Sequence, residues 1–465
     1  MTAFSGGTKA LSSRTLDIAG SATWTAGTIT LLGAAINNLA GATFDAQADT
    51  SLSGTGTFNN NGTFRRSGAN GDLEIDVEYV NAGRVEVQTG TFILESGSDS
   101  TGSFIVAAGA TLDFGLGGHN LSPDSSVTSA GTVRFMSLMR SQSGTANVAG
   151  SYTVTGDTII QDEVVNFLRD VTLPTLTLRR FQSTTVLGGP ADVTITGLLT
   201  WTGATMSGSG RTRANGGIVT GTFQPGDLVG RTLDNAGTAI WTDQGLPMFQ
   251  GATFNNLAGA TFLMQDDRHN EIGWSQSNSR FNNAGTFIKL ASYMETVISA
   301  NFVNNGTVEV RTGSLTLSTG STSSGSYEVD SGSVLTFGSG FHTLTPGSSV
   351  TGTGSVWFRA GFGQTSATAL AGVYDVSGTT TMISGSAEFL SGARMGNLNL
   401  GSGFDDPPGT ITGPGDLSIT GTFSWTGGTL AGSGRLRANG GMSITTGVAA
   451  LRLDGRVLES PRLRS

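Results

Sequence analysis

Ile36-Asn37-Asn38, Phe58-Asn59-Asn60 and Val80-Asn81-Ala82 follow one another at a constant spacing of 22 residues, and the phrase returns as Phe281-Asn282-Asn283 and Val303-Asn304-Asn305, again 22 apart. Behind each comes a glycine and a short alternating run, such as Gly62-Thr63-Phe64 or Gly83-Arg84-Val85-Glu86-Val87. A fixed period of this length, carrying strand, turn and strand, marks a coil that stacks on copies of itself. No run of helical period is long enough for a βα crossover. The pattern therefore predicts an all-β chain folded as a single elongated right-handed parallel β-helix, a β-solenoid with rungs of about 22 residues. At roughly 4.8 Å per rung the expected rod is on the order of 100 Å long.

Asn accepts the left-handed backbone of a sharp bend, and its amide can bond to an identical amide one rung away. The spacing thus predicts an asparagine ladder of Asn37, Asn59 and Asn81, with Asn282 and Asn304 in the later copy. Strand alternation then points Phe58, Phe64, Val80, Val85 and Val87 inward and Thr63, Arg84 and Glu86 outward.

Composition agrees with an ordered, turn-rich β protein. Of 465 residues 71 are Gly, without a Gly-X-Y period, and 37% are hydrophobic, which excludes collagen and argues against disorder. A formal charge of −9 and the lack of a Lys/Arg cluster give no footprint for nucleic acid or for an anionic membrane surface. With no Cys, disulfides, thiolate metal sites and cysteine catalysis fall away together. No apolar run is long enough for membrane insertion as a helix, and the first residues lack the features of a signal peptide.

A longer repeat lies over the short one. Arg14-Thr15-Leu16-Asp17 returns as Arg231-Thr232-Leu233-Asp234, and residues 80–135 match residues 303–358 at an offset of 223. The expected organisation is an N-terminal segment (1–13), a first long repeat (14–230), a second (231–455), and the start of a third with a tail (456–465). The chain reads as a fragment of a longer array.

The Phe-Asn-Asn-x-Gly-Thr-Phe and Val-Asn-Asn-Gly-Thr-Val phrases, set among Gly/Ser/Thr-rich strands, resemble the β-helical passengers of bacterial surface proteins of the filamentous-haemagglutinin and autotransporter type. The resemblance implies an extracellular or cell-surface location, a non-enzymatic stalk or adhesin, and surface glycans or other copies of the array as partners.

The internal repeat also offers a control on chemistry. A side chain kept in both copies is read as structural, whereas a catalytic site is needed once and breaks the symmetry. His119 matches His342, Trp201 matches Trp425, and Arg211 with Arg213 matches Arg435 with Arg437, so all are assigned to the fold. The arginine pairs carry a sugar-acid or phosphate grip as their alternative. Two stretches break the symmetry. Asp72, Glu74, Asp76 and Glu78 form a carboxylate comb on one strand face, read as a solvated acidic edge, with weak Ca²⁺ binding or an inverting glycosidase pair as alternatives. Asp266, Asp267, His269 and Glu271 sit in an enlarged spacing, read as a polar loop with a metal or acid/base role as the alternative.

Three function classes follow: a structural or adhesive solenoid without catalytic turnover or a required cofactor, a β-helical polysaccharide lyase or hydrolase or a carbohydrate-binding protein, and an ice-binding solenoid. The last needs Thr-x-Thr in line on every rung, and Thr153-Val154-Thr155, Thr175-Leu176-Thr177 and Thr194-Ile195-Thr196 are too irregular for it.

Overall fold

The computed structural model describes residues 1–137, 142–221, 224–242, 245–265, 270–273, 278–290, 294–361, 363–401, 408–445 and 449–460. Among them every regular element is a β-strand, and parallel sheets stack in about 20 coils of roughly 21 residues. The chain is a β-solenoid. It divides into two compact units, Met1–Leu233 and Asp234–Ser465. Among the described residues no helix is long and apolar enough to cross a membrane.

In the first unit a coil consists of three short strands, for example Ser21–Trp24, Ile29–Leu32 and Ala35–Asn38. Each pairs in parallel with its counterpart one coil later: Ser21 with Thr43, Ile29 with Leu52, Ala35 with Thr57. Two coils run their second and third strands together, as Thr50–Asn60 and Asp72–Asn81. Alternation sends every second side chain inside, where Phe44 stacks on Phe64 at 5.4 Å and Phe58 on Tyr79 at 5.5 Å. The second unit repeats this coil as Asn301–Asn304, Thr307–Val310 and Ser314–Leu317, with Phe254 on Phe281 at 4.9 Å and Phe262 on Phe287 at 5.2 Å.

Behind several Asn phrases the glycine is required by the stacking. A Cβ at Gly83 would lie 2.1 Å from the Gly62 carbonyl, and one at Gly306 would lie 2.0 Å from the Gly285 carbonyl, so the turns close only where the chain has no side chain.

The asparagine ladder is present but differs from the expectation in two ways. First, the asparagines end strands and do not form corners: Asn37 and Asn38 belong to Ala35–Asn38, and the left-handed residue of the turn that follows is Gly41, at φ +83°. Second, the single expected ladder is two columns, because neighbours on a strand face opposite ways. The inner column is buried, and Asn38 donates to Asn60 (2.8 Å), Asn60 to Asn81 (2.8 Å) and Asn81 to Ser100 Oγ (3.1 Å). The outer column is more exposed and runs from Asn59 through Asn37 to Asp17, at 2.8 and 2.7 Å. Asn81 therefore stacks on Asn60, and Val80 stands opposite Asn59 and faces outward, its expected inward place being taken by Tyr79. In the second unit Asn304 belongs to the inner column, Asn235–Asn256–Asn283–Asn304, whereas Asn282 belongs to the outer one with Asn255 and Asp234.

Candidate functional site

The side chains repeated in both copies are used by the coil itself. His119 is 1% exposed, with Nδ1 3.0 Å from Ser98 Oγ and Nε2 2.9 Å from the Gly115 carbonyl; His342 repeats this with Ser321 and Gly338. Burial pushes both imidazoles down to about 4, so they are neutral at physiological pH. Trp201 and Trp425 are buried, their indole N–H groups donating to the Ala204 and Gly427 carbonyls. The arginine pairs are exposed. Arg435 and Arg437 both meet Glu459, at 2.8 and 3.0 Å, and Arg213 donates to Asn215.

A role that sequence reasoning missed falls to the arginine opening the long repeat. Arg231 is fully buried and donates to Thr212 Oγ1 and to the carbonyls of Gly189, Ser207, Ala191 and Arg211, tying its coil to two earlier ones. Arg456 does the same with the carbonyls of Ala431, Gly415 and Gly413. Only the recurrence of Arg in the phrase pointed there.

The acidic comb of the first unit alternates as expected. Leu73, Ile75 and Val77 are buried, Glu74 and Asp76 half-buried, Asp72 and Glu78 exposed. The comb does not stand alone. Asp113 lies two strands beyond Glu74 in register through Ile93, about 10 Å away, with Glu95 one coil before it and Glu163 two coils after it. Glu95, Asp113 and Glu163 are 7%, 0% and 2% exposed. Arg134 Nη2 stands 2.7 Å from Asp113 Oδ2. Glu95 Oε2, Asp113 Oδ1 and Glu163 Oε1 are buried without a hydrogen-bond donor. Burial raises all three carboxyls, Glu163 to about 8, Glu95 to about 7 and Asp113 to about 6; Glu74, Asp113 and Asp76 add to the rise at Glu95, while Arg134 opposes it at Asp113. Burial, then Asp76 and Asp72, also raises Glu74. Asp162 is engaged elsewhere, its Oδ1 accepting from the N–H groups of Phe181, Gln182 and Ser183. Among the described residues no three His, Asp or Glu side chains are grouped to hold a metal ion. The carboxyls are spread along the stack.

In the second unit the positions 223 residues on keep one carboxylate, Glu295 for Asp72, and otherwise carry other chemistry: Ser318 for Glu95, Thr336 for Asp113 and Trp357 for Arg134. Together they line a groove of about 450 Å³, with Thr316, Ser339 and Arg359 among their neighbours. Thr316 Oγ1 donates to Glu295 Oε1 at 2.6 Å. Among the described tryptophans Trp357 alone is partly exposed; Trp24, Trp201, Trp241 and Trp425 are buried.

Of the polar loop, Asp266, Asp267 and His269 lie outside the described residues. Glu271 is on the strand Asn270–Ile272 and accepts a hydrogen bond from Ser299 Oγ at 2.7 Å. The Thr-x-Thr pairs do not line up: Thr175–Arg179 pairs with Asp157–Gln161, not with the strand Ser151–Val154 that carries Thr153. No protein-family model, curated protein or solved structure matches the chain.

Proposed function

We propose that the chain is a non-enzymatic structural or adhesive β-solenoid of a bacterial extracellular or cell-surface protein, contacting surface glycans or further copies of its own array. The observation that carries this reading is the use made of the repeated side chains. His119, His342, Arg231 and Arg456 spend their donors and acceptors on the coil's own backbone and hydroxyls, leaving length and lateral area as what the repeat supplies. The reading is tested with a panel of acidic and neutral polysaccharides incubated with purified protein and with Asp76→Asn and Glu163→Gln variants. No cleavage is expected; cleavage by the parent that either variant abolishes overturns it.

The second reading is a polysaccharide lyase or hydrolase, favoured by the buried carboxyls of Glu95, Asp113 and Glu163 beside Arg134. Groups that titrate near neutrality are suited to proton transfer. Two facts weigh against it. The carboxyls are nearly or fully closed to solvent, and Arg134 is committed to Asp113.

A further inference from the structure

We propose that the Trp357 groove of the second unit is a saccharide-binding site, taking a neutral glycan laid along the coils with one sugar ring against the indole. This rests on the adhesive reading above and names the partner's chemistry and the place it binds.

The fold does not need a ring at this position. Trp357 occupies the register that Arg134 holds in the first unit, between Thr336 and Thr381 on the neighbouring strands, and the coil closes equally well with either residue. The four buried tryptophans donate their indole N–H to coil carbonyls and fill the interior; Trp357 lies outside it. The partly exposed indole gives the groove a flat apolar contact face at a position where the first unit holds Arg.

The lining selects the kind of occupant. Val334 and Ala360 are its only aliphatic side chains among the described residues, and the rest is hydroxyl, glycine, one carboxylate and one guanidinium. A wholly apolar ligand would cover the Glu295 carboxylate and the hydroxyls without offering them a hydrogen bond. Phosphate-bearing ligands meet Glu295 and a chain of net charge −9. A sugar has an apolar ring face for the indole and hydroxyl edges for Ser318, Ser339 and Thr316, and the groove is within the roughly 300 to 1,000 Å³ of small-ligand sites. Thr316, Thr336, Trp357 and Thr381 follow in register along the stack at about 4.8 Å per step, so the groove runs in the direction an extended glycan would take.

The test is calorimetric titration of the full chain with neutral hexasaccharides of glucose, xylose and N-acetylglucosamine, alongside Trp357→Ala, Trp357→Phe and Trp357→Arg. The last restores the first unit's residue, and circular dichroism checks that each variant is folded. Saturable binding by the parent is expected, weakened at least about tenfold by Ala and Arg and less by Phe. Absence of binding to every sugar, or equal binding by Trp357→Ala, overturns the site. Adhesion to a glycan-coated surface is measured in parallel. If the parent adheres and Trp357→Ala adheres equally, the groove is refuted while the adhesive reading stands; if the parent does not adhere, the adhesive reading fails on its own.

Discussion

Asn59 and Asn60 are neighbours on one strand, both amides bond to an amide one coil away, and their replacement by Ala should have very different costs. Asn60 is fully buried. It accepts from Asn38 at 2.8 Å and donates to Asn81 Oδ1 at 2.8 Å and to the Arg84 carbonyl at 3.1 Å. Asn60→Ala removes three hydrogen bonds, each worth about 0.5 to 1.5 kcal/mol net, and leaves the buried Asn81 Oδ1 without its donor, so a loss of about 2 to 4 kcal/mol is expected. Asn59 sits in the half-exposed outer column, where water replaces its bond to Asn37. Asn59→Ala should cost about 0.5 kcal/mol or less. Because coils unfold through their neighbours, the readout is amide hydrogen exchange of Thr50–Asn60 and Asp72–Asn81. Exchange should accelerate by about thirtyfold to a thousandfold in Asn60→Ala and by no more than about threefold in Asn59→Ala. Equal acceleration in the two variants would refute the two-column ladder.

Further predictions rest on the buried ionisable groups. Glu163, Glu95 and Asp113 hold a proton more tightly folded than unfolded, so their contribution is present below the ordinary carboxylate range and is lost as pH rises through about 6 to 8. For Glu163 alone this is about 1.4 kcal/mol per pH unit between the unfolded and folded values, and Glu163→Gln should flatten the fall in melting temperature from pH 5 to 8; an unchanged slope counts against the burial argument. His119 and His342, held down to about 4, should show no imidazole titration by NMR between pH 8 and 5, and a midpoint near 6.5 would contradict their burial. Arg231→Met strips donors from four backbone carbonyls and should cost about 3 kcal/mol or more in urea denaturation, while Arg213→Ala on the exposed face should stay within about 0.5 kcal/mol; equal effects would show that the buried arginine is not a staple.

What could be read from the chain alone was whatever depends on local periodicity. The recurring Asn phrases with a glycine behind them specify a stacked coil, and alternation along residues 72–79 places Leu73, Ile75 and Val77 inside without knowledge of any neighbour. The repeat offset likewise marked His119 and Trp201 as parts of the fold before their partners were known. Register was not legible in this way. In-register partners lie 19 residues apart at Arg84 and Ser103 but 25 apart at Ser126 and Ser151, because the turns between the paired strands vary in length. A difference of one residue exchanges the inner face for the outer, which is why Asn81 was expected on Asn59 and stands on Asn60. The same limit hid the functional candidates. Glu95, Asp113 and Glu163 are scattered over nearly 70 residues of sequence, and the Trp357 groove draws on Glu295 and Ser318 as well as its own coil. Only stacking, which sets residues some 20 positions apart about 4.8 Å from one another, brings such side chains to one surface, and the turns that set the stacking register leave too faint a trace in the sequence to be read from it.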